Sequence, residues 1–211
     1  MTRIRLYNDM FDNFEELKSI FDAVGWTAGK AIPGYSMPDD KPNFDKFEEA
    51  NVAALIDASY LNADKAFVWK GDEGFERLEE FCRSIIDKVL ETYDTSNLQG
   101  WDDTYDFSYI SAIRYGVGGY FRAHEDNLLA PNNRFKSIVV VAYFGDFTGG
   151  DLFYPQYNKS VQMQKGDVAV HLAGPTHFHA VNEVTSGMKY AITMFPEINK
   201  PLVMLGDKRN E

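Results

Sequence analysis

A single cysteine, Cys82, excludes an internal disulfide framework and any cysteine-rich zinc site. Basic charge is scarce too: Lys and Arg total 21 against 32 acidic residues, a net charge of -11, and no basic run occurs. That balance argues against non-specific binding to a phosphate backbone, which needs clustered cations. Long apolar runs are missing. The longest, "SIVVVAYF" (Ser137–Phe144), is far too short to span a bilayer, and the opening "MTRIRLYNDMF" lacks the apolar stretch of a signal peptide. A soluble, cytoplasmic protein is the expectation, with a monomer favoured. There is no internal repeat, no low-complexity segment, and no Ser/His/Asp or Cys/His arrangement suited to nucleophilic catalysis.

What is present suits one domain spanning residues 1–211. Hydrophobic residues make up 45% of the chain and aromatics 15%, enough for a sizeable core. Residues 1–100 read as mainly helical support. In the first helix Phe14, Leu17, Phe21 and Val24 form a stripe, with Asp12 or Asn13 at its start and Gly25 at its end. A second helix is expected over about Phe44–Tyr60, with Phe44, Phe47, Ala54, Leu55 and Ala58 on one side. The third is the clearest, since Phe75, Leu78, Phe81, Cys82, Ile85, Ile86 and Val89 recur at three- and four-residue steps. Cys82 lies on that stripe and reads as a core thiol. Between the first two helices, "TAGKAIPGYSMPDDKPN" (Thr27–Asn43) has the composition of a loop, either a plain surface excursion or a lid around Ile32–Pro38.

From Tyr105 short extended runs replace the helical period: "FSYISAIRY", "GYFRAHED", "FKSIVVVAYFG", "GDLFYP", "SVQMQ", "DVAVHLA", "HFHAVNEV" and "KYAITMF". With turn signals such as "TGG" and "KGD" between them, they predict a sandwich or barrel across 101–200, followed by a tail at 201–211. No helical segment separates the runs, which argues against a parallel α/β sheet, and an α+β domain with helices on one outer face is expected.

Within "RYGVGGYFRAHEDN" (Arg114–Asn127) stand a histidine and an aspartate two residues apart. In an extended segment residues i and i+2 share a face, so His124 and Asp126 would present an imidazole and a carboxylate together. A third ligand from the late histidines, His171, His177 or His179, would complete two histidines and one carboxylate. That set leaves positions open on a metal and suits non-haem Fe(II) oxygenases, though zinc hydrolases use similar ligands.

The set "YGVGGYFRAHEDN", "TGGDLFYP", "QKGDVAV" and "HAVNEVTSGMKYAITMF" resembles, in order and rough spacing, the 2-oxoglutarate/Fe(II) dioxygenases, most of all their prolyl 4-hydroxylase branch. The likeness covers about Tyr105–Phe195. It implies a double-stranded β-helix (jelly roll) core with supporting N-terminal helices. It also implies Fe(II) held by His124, Asp126 and His179, with His177 outside the ligand set and His171 at a position often aromatic, here for core packing. Lys189 would grip the distal carboxylate of 2-oxoglutarate. Alternation places Lys189, Ala191 and Thr193 on one face, so a charged lysine inside the barrel would need that anion, and Thr193 would add a hydrogen bond. Tyr115 is either a co-substrate pocket residue or an ordinary strand aromatic, and Tyr143 is a further candidate for the pocket. Arg134 and Phe195 stand where such enzymes meet substrate, Phe195 being equally readable as core. The implied reaction couples O2 and oxidative decarboxylation of 2-oxoglutarate to hydroxylation of a peptidyl proline, as in procollagen-proline 4-dioxygenases, with ascorbate as a reductant. Rival readings are the same chemistry on a free amino acid, another peptidyl residue or an alkylated nucleobase, and a non-catalytic binding sandwich.

Overall fold

The computed structural model describes residues 4–28, 61–93, 98–99, 104–124, 126, 135–136, 138–173, 177–198 and 203–204. The expected second helix, the Ile32–Pro38 segment and Arg134 lie outside the described residues. In chain order the elements are β1 (Arg5–Tyr7), α1 (Phe14–Val24), β2 (Thr27–Ala28), β3 (Leu61–Asn62), β4 (Asp64–Trp69) and α2 (Phe75–Leu90). Next come β5 (Leu98–Gln99), β6 (Tyr109–Tyr115), β7 (Tyr120–His124), β8 (Phe135–Lys136), β9 (Ile138–Phe144), β10 (Phe147–Gly149) and β11 (Leu152–Tyr154). The chain continues through β12 (Lys159–Val161), β13 (Val168–Leu172), β14 (His179–Val181), β15 (Val184–Gly187), β16 (Lys189–Met194), β17 (Glu197–Ile198) and β18 (Val203–Met204).

Helix α2 buries the stripe read from its periodicity: Phe75, Leu78, Phe81, Cys82, Ile85, Ile86 and Val89. Burial of each such side chain contributes about 1.5–3 kcal/mol, which outweighs the marginal stability of a lone helix of this length. The same burial pushes the Cys82 thiol pKa far up, so it stays protonated and inert. Helix α1 departs from expectation in one position. Leu17, Ile20 and Phe21 are its buried residues, while Val24 is exposed, because the chain leaves the helix at Gly25 with a positive φ of 92°.

The strands form two principal antiparallel sheets. The larger runs β1-β13-β9-β16-β6-β4-β2 and the smaller β12-β11-β14-β7-β3. Every long strand of the larger sheet alternates between two cores. Ile138, Val140, Ala142 and Phe144 of β9, with Tyr190, Ile192 and Met194 of β16, pack under α1 and α2. Val139, Val141, Tyr143 and Ala191 face the other way, onto Leu152, Tyr154 and Val181 of the smaller sheet. Two facing antiparallel sheets with helices on one outer face make the α+β jelly roll.

The first half is less purely helical than its composition suggests. β4 joins the larger sheet beside β6 along its whole length, from Asp64 opposite Arg114 to Trp69 opposite Tyr109. Its alternation was legible in retrospect: Ala66 and Val68 are buried under the helices, while Phe67 and Trp69 pack on the opposite core. β1 and β3 likewise add edge strands to the two sheets.

Candidate functional site

β7 and β14 are neighbours in the smaller sheet, and their register sets His124 directly opposite His179. The ring centroids are 4.3 Å apart. β7 ends at His124, so Asp126 does not share a strand face with it as alternation suggested. The Asp126 carboxylate nonetheless joins the histidines. One ligand atom from each of His124, Asp126 and His179 lies within 4.8 Å of the others, and Asp126 Oδ2 is 3.6 Å from His179 Nε2. His177 is not part of this group.

Backbone carbonyls orient the rings. His124 Nδ1 meets the Arg122 carbonyl at 2.8 Å, and His179 Nδ1 meets that of His177 at 2.9 Å. A carbonyl only accepts, so each Nδ1 donates and each Nε2 keeps its lone pair for a metal. Burial, then neighbouring His179, lowers the His124 pKa to about 3, so the ring is neutral and competent to ligate. Phe121 stacks on His124 at 3.7 Å and holds the ring plane. Asp126 Oδ2 is buried with no hydrogen-bond partner among the described residues. A carboxylate oxygen without a partner beside two lone-pair nitrogens fits a bound cation, and this donor set suits non-haem Fe(II).

Lys189 opens β16 and is fully buried between the sheets. Its Nζ donates to the Gly150 carbonyl and lies 4.7 Å from the Tyr143 ring centroid, with Tyr115 and Phe147 each at 5.6 Å. Desolvation lowers its pKa to about 7, opposed by the charge of Asp151. Gly150 makes room for the lysine. A Cβ there would come within 3.0 Å of Lys189 Cδ, at a φ of +66° that disfavours other residues. An ammonium ringed by aromatics, with one neutral acceptor, is a receptor for an anion of small size.

Residues 110–196, which carry both features, match the sequence profile described as the 2OG-Fe(II) oxygenase superfamily. Solved structures with the same fold include viral collagen prolyl hydroxylase from Paramecium Bursaria Chlorella virus-1, at 14% identity and TM-score 0.58, covering 93% of this chain and 97% of that one. A Pseudomonas putida prolyl-4-hydroxylase matches at 13% identity and TM-score 0.58, over 93% of this chain and 94% of that one. NgTET1, solved in complex with 5mC DNA, matches at 17% identity and TM-score 0.55, over 94% and 74%. At these identities the likeness is one of fold. No curated protein matches the chain by sequence.

The other sequence candidates are distributed as follows. Tyr115, opposite Lys189 in the β6–β16 register, and Tyr143 both line the lysine pocket. Thr193 is half-buried four residues along β16. At about 3.3 Å per residue, strand geometry sets its Cα roughly 13 Å from that of Lys189. Phe195 is buried against Tyr109, 6.3 Å between centroids. His177 is buried and serves His179 through its carbonyl.

Four residues near the site had been given no part in it. Phe147 and Gly150 complete the lysine pocket, and the glycine pair in "TGGDLFYP" was the available signal, read only as a turn. Tyr154 is fully buried, 6.1 Å from His179 between ring centroids. His171 is the larger surprise. It is buried as expected, but on the face of β13 opposite the helices, with its ring centroid 4.6 Å from that of His179. Val168, Val170 and Leu172 occupy the helix side. The same alternation that buries those three aims His171 at the metal cluster.

Proposed function

We propose that this protein is an Fe(II)- and 2-oxoglutarate-dependent prolyl 4-hydroxylase, acting on a peptidyl proline with release of succinate and CO2. The observation that carries the reading is the His124–Asp126–His179 cluster together with buried Lys189, linked by Tyr115 and Tyr143, which lie beside the lysine and interact electrostatically with Asp126. When bound, iron and 2-oxoglutarate supply the oxidative chemistry that no side chain of the chain offers. His124, Asp126 and His179 hold the metal. Lys189 takes the distal carboxylate of 2-oxoglutarate, and the carboxylate in turn keeps the ammonium charged. Tyr115 and Tyr143 shape the wall around it and exclude water, while Thr193, roughly 13 Å along β16, is too far to add a hydrogen bond to the same carboxylate. Arg134 and Phe195 are assigned to the substrate side, and ascorbate to keeping the metal reduced.

A peptide is favoured over nucleic acid by the net charge of -11, although NgTET1 was solved with DNA. The test is 2-oxoglutarate turnover over a panel of proline-containing peptides, with a 5-methylcytosine oligonucleotide as comparison. Iron-dependent succinate and a peptide heavier by one oxygen on proline are expected. Succinate with an oxidised oligonucleotide would replace the substrate assignment. No iron-dependent succinate under any condition would sink the enzymatic reading.

A further inference from the structure

His171 plays no part in the assignments above, yet its surroundings are not those of a packing residue. Its Nδ1 meets the Leu172 carbonyl at 3.0 Å, and since that oxygen only accepts, Nδ1 donates and Nε2 carries a lone pair. Nε2 is buried, has no hydrogen-bond partner among the described residues, and lies 4.0 Å from Asp126 Oδ2, which has none either. Tyr154, edge-on to His171 at 5.7 Å, ends in a third buried atom without a partner among the described residues, its hydroxyl. A carboxylate oxygen that ligates a metal keeps a second lone pair, and buried polar atoms are almost always satisfied, so Nε2 and Oδ2 facing each other beside the metal cluster call for a shared polar guest.

Nε2 and Oδ2 are both acceptors, so the guest must bring hydrogens to each. Two hydrogen bonds of about 2.8 Å from one oxygen to atoms 4.0 Å apart subtend about 90°, within range of the angle between the hydrogens of water. A carboxylate oxygen would be repelled there. His171 lies outside the group of three whose ligand atoms share one site.

We propose that His171 is a positioning residue of the metal centre, which with Asp126 Oδ2 seats one water beside the metal site and thereby orients the aspartate. This rests on the metal-binding reading of His124, Asp126 and His179. Groups that orient a ligand in this way typically change metal affinity 10–100-fold when removed.

The experiment is titration of the metal-free protein with Co(II), followed by its visible absorption, in wild type, His171→Phe and His171→Gln. Phenylalanine keeps a ring against Tyr154 and His179 but removes the acceptor. Glutamine returns an acceptor oxygen near the place of Nε2. His171→Phe should bind Co(II) at least tenfold more weakly with an altered spectrum, and His171→Gln should recover most of both. Wild-type affinity and spectrum in His171→Phe would reduce His171 to packing. Failure of the wild type to bind Co(II) would instead overturn the metal reading itself. Should His171→Phe be misfolded, nitrogen NMR of the Zn(II)-loaded wild type decides: Nε2 of His171 should be unprotonated and not bonded to metal, and a proton on it would refute the proposal.

Discussion

Lys189 is the residue whose chemistry can be followed most directly. Its ammonium titrates at about 7 where no anion meets it, because burial removes its hydration. A carboxylate beside it favours the charged form, so anion binding above that pH takes up a proton. The affinity for 2-oxoglutarate is therefore expected to be flat below about pH 7. It should then fall towards tenfold per pH unit as pH rises, since one pKa unit corresponds to about 1.4 kcal/mol. Isothermal titration in buffers of different ionisation enthalpy reads the proton uptake directly, and an affinity constant from pH 6 to pH 9 would dismiss the anchor. Lys189→Ala should raise the 2-oxoglutarate requirement tenfold or more, as a hydrogen bond to a charged group contributes roughly 1.5–3 kcal/mol. Lys189→Arg should be milder but not silent, its forked guanidinium being too large for the space beside Gly150. Co(II) binding should survive both changes. By contrast His179→Ala should lose Co(II) binding and succinate formation together while remaining folded.

Among the elements, the turn from β6 to β7 links the lysine pocket to the metal cluster, because Tyr115 ends one strand and His124 ends the next. Its glycines are not equivalent. A Cβ at Gly119 would lie 2.7 Å from the Gly116 carbonyl oxygen and 3.1 Å from that of Asn62, both backbone atoms that cannot swing aside. A Cβ at Gly116 would meet only the end of Met188, at 3.8 Å. Overpacking of this kind costs about 1–3 kcal/mol, so Gly119→Ala should lower the Tm by roughly 2–10 °C while Gly116→Ala stays near wild type. Equal melting of the two variants would show that the turn is free to relax. The same comparison explains what was legible at this scale. The α2 stripe could be read because seven apolar residues repeat over four turns. β4 was passed over because its alternation lasts six residues and carries Asp64 and Lys65 at its start.

For the molecule as a whole, one sheet serves two cores, and the site draws on the stability of both. Lys189 weakens the ligand-free protein. Its folded pKa of about 7 lies below the ordinary 10.5, so between those values the unfolded chain holds more protons and stability rises with pH. Below about pH 7 the full cost of burying the charge is present. Lys189→Met should therefore raise the Tm of the ligand-free protein at pH 7 and below, and should abolish the further rise caused by 2-oxoglutarate. In the wild type, ligands at a hundredfold excess over their Kd add about 2.7 kcal/mol, or about 5–10 °C at this chain length. Calorimetry across pH checks both signs, and a Lys189→Met protein less stable than wild type without ligand would contradict them.

The chain's own pattern determined the apolar stripe of α2, which residues of each strand share a face, and that His124, Asp126 and Lys189 are candidates for a site. Those properties are local, set by periods of 3.6 and 2 and by residue type. Tertiary structure alone decided which sheet faces which and in what register. It brought His179 opposite His124 across more than fifty residues, turned His171 towards Asp126, and set Gly150 against Lys189. Alternation says that a side chain points to one side of a sheet. What waits on that side depends on how distant strands pair, because the free energy of that pairing comes from contacts that no single segment contains.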